Sequence, residues 1–271
     1  MQLISVDQVK VGYDDELIIN ELSITIPKGQ ITTIIGPNGC GKSTLLKSIA
    51  RILKTSGGAI YLDGKSISET PTREVAQKMA ILPQSAEAPA GLTVRELVTY
   101  GRAPHQSRFG KLKSIDIEAI DWALEETGLS EIQDRPIDAL SGGQRQRVWI
   151  AMALAQDTEI VILDEPTTYL DLSHQLDILQ LLEKLNSIQK KTIVMVLHDL
   201  NHASRFSHHL IAMRDGAVVE YGEPHQVMTV SNLQQIFQIE AMLAVCPFSQ
   251  NPICLSYGKI KHQKEASSAL G

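Results

Sequence analysis

The chain has 271 residues, 43% of them apolar, with 31 acidic against 25 basic side chains and a formal net charge of -6. That is enough to build one large domain carrying a subdomain, and the acidic balance excludes a nucleic-acid partner, whose phosphates require a basic face. Apolar runs such as Ile160 to Leu163 and Ile193 to Leu197 fall far short of the roughly 20 residues that cross a bilayer.

The N-terminal stretch MQLISVDQVKVGYDDE meets acidic residues before any apolar run or small-residue cleavage site, so a cytosolic chain is expected. Cys40, Cys246 and Cys254 form no CxxC pair and are odd in number, which suits reduced thiols. Alternating apolar positions from Leu3 to Val11, then Leu22 to Ile26 closed by Pro27-Lys28-Gly29, predict antiparallel strands and a turn. The β-branched run Ile31 to Ile35 predicts a buried strand, and the LLKSIARIL pattern after Thr44 predicts a helix. From about residue 85 to 156 strand signals fade and helical spacing takes over, as in Ile117, Ile120, Ala123 and Leu124, which predicts an inserted helical subdomain. Ile160 to Asp164 and Ile193 to Leu197 predict further buried parallel strands, so the fold class is α/β. Residues 260–271 are polar and small, and a flexible tail is expected there.

Three segments carry chemistry. Between the strand at Ile31 and the helix after Thr44 stands Gly36-Pro37-Asn38-Gly39-Cys40-Gly41-Lys42-Ser43-Thr44, the GxxxxGK[ST] pattern in the strand-loop-helix context that it requires. Its glycines let backbone N–H groups wrap a phosphate at a helix N-terminus. Lys42 would reach the β- and γ-phosphates of ATP, and Ser43 would be a ligand of Mg²⁺. The buried strand Ile160 to Asp164 ends in adjacent carboxylates, of which Asp164 suits the Mg²⁺ shell and Glu165 suits polarising an attacking water. In Leu140-Ser141-Gly142-Gly143-Gln144, Ser141 stands at an N-cap position, so a second helix N-terminus offers N–H donors to an anion.

LSGGQRQR resembles the signature sequence of ABC ATPases, and the resemblance covers nearly the whole chain, from Leu3 to about Lys259. It implies a P-loop NTPase core with an antiparallel β subdomain and the inserted helical subdomain, together spanning residues 1–259. In that family the signature of one subunit closes over ATP held by another, so Ser141, Gly142, Gly143 and Gln144 are expected to complete the site of a second copy, making a homodimer on ATP binding. The resemblance further implies that Gln84 contacts Mg²⁺ and the attacking water, that Leu170-Asp171 is the D-loop, that His198 contacts the γ-phosphate, and that Tyr13 stacks on adenine. By itself a histidine at a strand end is more often structural, and His198 with His202, four apart, has the spacing of a metal pair for which the sequence offers no obvious third ligand.

Tyr100 to Gln106, Thr167 to Gln175, Val196 to Asn201 and Asn251 to Gly258 resemble the ATPases of ferric-siderophore, haem and cobalamin importers, with Ala103 departing from that group. The resemblance implies an ATPase on the cytoplasmic face of the membrane, bound to separate permease subunits and, through them, to a substrate-binding protein. A ferric siderophore is the first expectation; haem, cobalamin or a soluble ABC ATPase stay open. The basic stretch Arg102, His105, Arg108, Lys111 and Lys113 is expected either to touch the permease or to be a solvated charged run.

Overall fold

The computed structural model describes residues 2–14, 16–84, 88–106, 111–168 and 170–260. The expected flexible tail therefore lies, from residue 261 onward, outside the described residues, as does Arg108.

The chain opens with a long hairpin, β1 (Gln2–Tyr13) and β2 (Glu16–Pro27), whose antiparallel register runs from Gln2 opposite Pro27 to Tyr13 opposite Glu16. A register shift between Val6 and Val9, with Gln8 at φ 46°, moves the buried set from Ile4 and Val6 to Val9 and Val11. An extra residue in a strand does this because side chains alternate with period two. β3 (Ile31–Ile35) then enters the core and is followed by α1 (Lys42–Ile49), β4 (Gly57–Leu62), β5 (Lys65–Ser66), α2 (Thr72–Lys78) and β6 (Met79–Leu82). Next come α3 (Val94–Thr99), a 3₁₀ turn over Tyr100–His105, α4 (Ser114–Glu126) and α5 (Gly142–Ala155). The rest is β7 (Ile160–Asp164), α6 (Leu172–Gln189), β8 (Thr192–Val196), α7 (Leu200–Phe206), β9 (His209–Arg214), β10 (Ala217–Gly222), α8 (Pro224–Val227), α9 (Val230–Phe237) and the hairpin β11 (Ile239–Val245) with β12 (Pro252–Lys259).

The strands form one sheet in the order β10-β9-β3-β8-β7-β6, a second in the order β2-β1-β4-β5, and the separate β11-β12 pair. In the first sheet β9, β3, β8, β7 and β6 run parallel, and β10 turns back antiparallel on β9. All residues of β3, β7 and β8 are buried, as expected where a parallel sheet is covered on both faces. Alternate residues serve different cores. Val161 and Leu163 pack with Val148, Leu154 and Leu179 from the helices, whereas Ile160 and Ile162 pack with Leu45, Leu46 and the hairpin's Ile4 and Val9. Each such side chain contributes on the order of 1.5–3 kcal/mol when fully buried.

Among the described residues the stretch between β6 and β7 consists of helices joined by turns and loops, with no strand pairing beyond one isolated bridge of Thr93 with Pro136. Here the structure corrects one expectation. Arg102 is no part of a surface basic run: its side chain is 4% exposed, as is that of its partner Asp116. Its Nε donates to Asp116 Oδ1 at 2.9 Å, and its Nη1 donates to the Ala155 carbonyl at the end of α5 at 2.7 Å. His105 is likewise engaged, with Nε2 2.8 Å from the Gln156 carbonyl. The turn after α3 thus ties the start of α4 to the end of α5. The Lys113 N–H donating to Asp116, followed by the Arg102 guanidinium, holds the Asp116 carboxyl below its usual range.

Removing one partner of such a pair leaves a buried charge without its counter-ion. Arg102→Ala is expected to destabilise the fold by about 3–5 kcal/mol, and replacing Arg102 and Asp116 together by Met and Leu by much less. The shift of the urea midpoint in the two variants checks this; equal shifts would contradict it.

Candidate functional site

The parallel run β3-β8-β7-β6 places the carboxyl ends of four neighbouring strands along one edge, the position at which open α/β sheets bind ligands. Asp164 and Ile34 both stand opposite Val196, so these ends lie level. From them emerge the loop after Ile35, His198, the Asp164-Glu165 pair and Gln84. Together with Tyr13 at the end of β1, they surround a cavity of about 570 Å³.

The loop Gly36 to Gly41 is shaped by close backbone packing. A Cβ on Gly36 would stand 2.3 Å from the Met213 carbonyl oxygen and 2.8 Å from Cys40 Sγ, so only glycine fits. Gly41, the N-cap of α1, has φ 99° and supplies no side-chain cap, which leaves the first N–H groups of the helix free to point at an anion. Lys42 is buried, and its Nζ donates to the carbonyls of Gly36 and Pro37, each at 2.9 Å. The ammonium is therefore held at the loop it would share with a phosphate. Cys40 is buried against the loop, and burial pushes its thiol above the ordinary value.

Ser43 donates to Asp164 Oδ1 at 2.9 Å. The other oxygen, Oδ2, is buried with no hydrogen-bond partner. A buried carboxylate oxygen without a donor is costly, and beside a hydroxyl oxygen it suits a hard cation that takes oxygen ligands. Burial is the first cause that raises the Asp164 carboxyl, the Glu165 charge adds to it, and the Ser43 hydroxyl opposes it.

Glu165 has φ 55°, a left-handed conformation unusual for a residue with a side chain. Its Oε1 stands 2.7 Å from His198 Nε2, while Oε2 accepts from Gln84 Nε2 at 2.7 Å and from Thr168 Oγ1 at 3.1 Å. Three segments thus converge on one carboxylate. His202, in contrast, lies away from this cluster, its ring edge-on to Phe206 with centroids 6.3 Å apart. Among the described residues no group of three His, Cys, Asp or Glu side chains has the arrangement of a metal site.

Of the residues singled out from sequence, Tyr13, Asn38, Gly39, Gly41, Lys42, Ser43, Thr44, Gln84, Glu165 and His198 line the cavity. Gly36, Pro37 and Asp164 do not line it but bond the lining residues Lys42 and Ser43, and Cys40 packs within the same loop. Ser141, Gly142, Gly143 and Gln144 do not line it. They start α5, where Ser141 Oγ accepts from Gln144 N at 3.2 Å and Gln144 Oε1 from Ser141 N at 3.1 Å, a capping box that closes reciprocally. Ser141 and Gly142 are exposed, and a Cβ on Gly143 would stand 3.1 Å from the His174 ring. Sequence reasoning missed two lining residues, Ile18 and Thr168. The signal for Thr168 was its position three residues after Glu165, one turn away; Ile18 had no signal, since only folding brings β2 beside the loop.

The sequence profile described as ABC transporter matches residues 19–168. The iron(3+)-hydroxamate import ATP-binding protein FhuC of Bacillus subtilis is 59% identical to this chain over 98% of each. The ferric enterobactin transport ATP-binding protein FepC of Escherichia coli is 44% identical over 93% of each. Among solved structures, an inward-facing metal-chelate type ABC transporter superposes with TM-score 0.81 at 29% identity, covering 94% of this chain and 96% of that one. The dimeric structure of a bacterial ABC transporter cassette superposes with TM-score 0.72 at 31% identity, covering 82% of this chain and 98% of that one.

The raised Asp164 carboxyl has a consequence for stability. It binds its proton more tightly in the folded chain than in the unfolded one, so its contribution is fully present below the ordinary value of 3.8 and is lost as pH rises through the folded value. Asp164→Asn is therefore expected to raise the melting temperature of the nucleotide-free and cation-free protein near neutral pH, with the gain fading as pH falls toward 3.8. Melting curves across pH check this, and a gain that grows on acidification would contradict it.

Proposed function

Since this chain belongs to the ABC transporter family and is an ATP-hydrolysing cassette, we propose that it energises uptake of a ferric siderophore through a separate membrane permease. The observation that carries the ATPase part is the convergence of Lys42, Ser43, Gln84, Glu165 and His198 on one cavity. The cargo assignment is supported by relatives such as those for iron(3+)-hydroxamate and ferric enterobactin, matched over nearly the full length.

In the proposed mechanism the phosphates of ATP lie over the open N-terminus of α1, and adenine stacks on Tyr13. The Lys42 ammonium exchanges its two loop carbonyls for the β- and γ-phosphates. Ser43, Asp164 and Gln84 supply oxygen ligands that would hold Mg²⁺, whose chemistry is to neutralise charge developing on the phosphate oxygens. His198 turns from Glu165 to the γ-phosphate, which leaves a Glu165 oxygen to orient and polarise the attacking water.

One copy holds an incomplete site, because Ser141 to Gln144 are presented away from its own cavity. A second copy would lay the N-terminus of its α5 against the γ-phosphate, so ATP binds the closed pair better than the open one and shifts the population toward it. Hydrolysis removes that bridge. The helical stretch between Gln84 and α5 passes the change to the permease at the cytoplasmic face, and a substrate-binding protein delivers the cargo on the other side.

Glu165→Gln is expected to bind ATP, to hydrolyse it about 10²–10⁴-fold more slowly, and to accumulate as a dimer with ATP on size-exclusion chromatography. Normal turnover by this variant would remove Glu165 from its role. Cells carrying Glu165→Gln in place of the native chain are expected to lose uptake of radioactive iron from one class in a panel of ferric siderophores. If uptake of every siderophore persists and that of haem or cobalamin falls instead, the cargo assignment is overturned.

A further inference from the structure

His198 sits in a two-residue link between well-defined anchors. On one side is β8, buried at the centre of the sheet and ending at Val196. On the other is Asp199, the N-cap of α7, whose carboxylate accepts from His202 N at 2.7 Å. The position of the His198 ring thus follows the position of α7. That helix has seven residues, too few to hold its own structure or place in water, so what it is fastened to decides where it lies.

Ala203 and Phe206 seat one face of the helix in the main core, and its side-chain hydrogen bonds to a distant segment go to the C-terminal end of the described chain. Asn201 Nδ2 donates to the Cys254 carbonyl at 3.1 Å, and Asn201 Oδ1 accepts from Cys254 N at 2.7 Å, so one side-chain amide pairs with both backbone groups of a β12 residue. One turn later Ser204, fully buried, donates to the Pro252 carbonyl at 2.6 Å, and Asn251 Nδ2 donates to the Ser204 carbonyl at 2.7 Å. Asn201 and Ser204 are three residues apart and share a helix face. A β12 residue 53 positions further along the chain is thereby tied to the helix that follows His198. The far side of its hairpin packs on the main core through Ile239, Ala241 and Leu243, so the hairpin is a seated support.

We infer that Asn201 is a positioning residue for His198, with the β11-β12 hairpin as its anchor, so that the hairpin sets how well His198 reaches the γ-phosphate. The inference rests on the ATPase reading above. It requires that loosening the amide pair change hydrolysis more than nucleotide binding, because Asn201 touches neither the loop of Lys42 nor the cavity.

The test compares the native chain with Asn201→Ala, Asn201→Asp, His198→Ala and the His198→Ala/Asn201→Ala double variant. In imidazole proton-carbon spectra the His198 signal, identified by its loss in His198→Ala, is expected to move in Asn201→Ala while that of the exposed His225 stays. The kcat of ATP hydrolysis is expected to fall by between about tenfold and a hundredfold with KM unchanged, and to fall less in Asn201→Asp, which keeps the acceptor for Cys254 N. In the His198→Ala background the same alanine change is expected to have little further effect, as coupled sites do. A fixed His198 signal, or an equal loss of rate with and without His198, would overturn the inference. Should Asn201→Ala fail to fold, Ser204→Ala with Asn251→Ala loosens the second clamp and is read the same way. A native chain without ATPase activity would sink the ATPase reading, and the imidazole signal would still decide whether Asn201 positions His198.

Discussion

The Glu165 carboxylate accepts from His198, Gln84 and Thr168 at distances of 2.7–3.1 Å, and those donors enter from three separate segments of the chain. Such a meeting is possible only if β8, β7 and β6 are neighbours, parallel and level at their carboxyl ends. The left-handed backbone at Glu165 turns the chain sharply off β7, a strained conformation of the kind that persists where the surroundings over-determine it. Here those surroundings are the sheet below, the turn in which Thr168 N reaches the Glu165 carbonyl, and Gln146 of α5, which donates to the Pro166 carbonyl at 3.0 Å.

That last contact ties the candidate hydrolytic site to the far-facing signature. α5 begins at Ser141, exposed, and runs back past the turn after Glu165 to end where Arg102 and the Gln156 side chain hold it to the rest of the molecule. One helix therefore touches the turn after Glu165 with its side and leaves its N-terminus exposed. On the proposed reading, a change at the γ-phosphate of one site is felt at the signature serving the other.

Asp164 is buried, with one oxygen satisfied by Ser43 and one by nothing, while Lys42 is satisfied by carbonyls alone. An anion with a divalent cation would give each the partner it lacks. A ligand that binds the folded state and not the unfolded one also stabilises it, so binding and stability are linked at this edge of the sheet.

Local features were legible in the sequence because their signals are short-range. The pattern Gly36 to Thr44 between a β-branched run and a helical one, the Ser141 cap with Gln144 three residues on, and the continuous apolar strand ending in Asp164 and Glu165 each declare themselves within about ten residues. Arg102 did not: a basic residue in a polar, Pro-containing stretch reads as surface, and only packing revealed Asp116 beside it in the core. Nor did Asn201, whose partner lies 53 residues away. The spatial order at the site was equally hidden, because along the chain Gln84 precedes Asp164 and His198, whereas across the sheet His198 stands next to the phosphate loop and Gln84 is farthest from it. Period and capping are properties of neighbouring residues, so sequence alone determines them. Strand order and the partners of buried charges depend on which distant segments share a core, and the tertiary structure alone decided those.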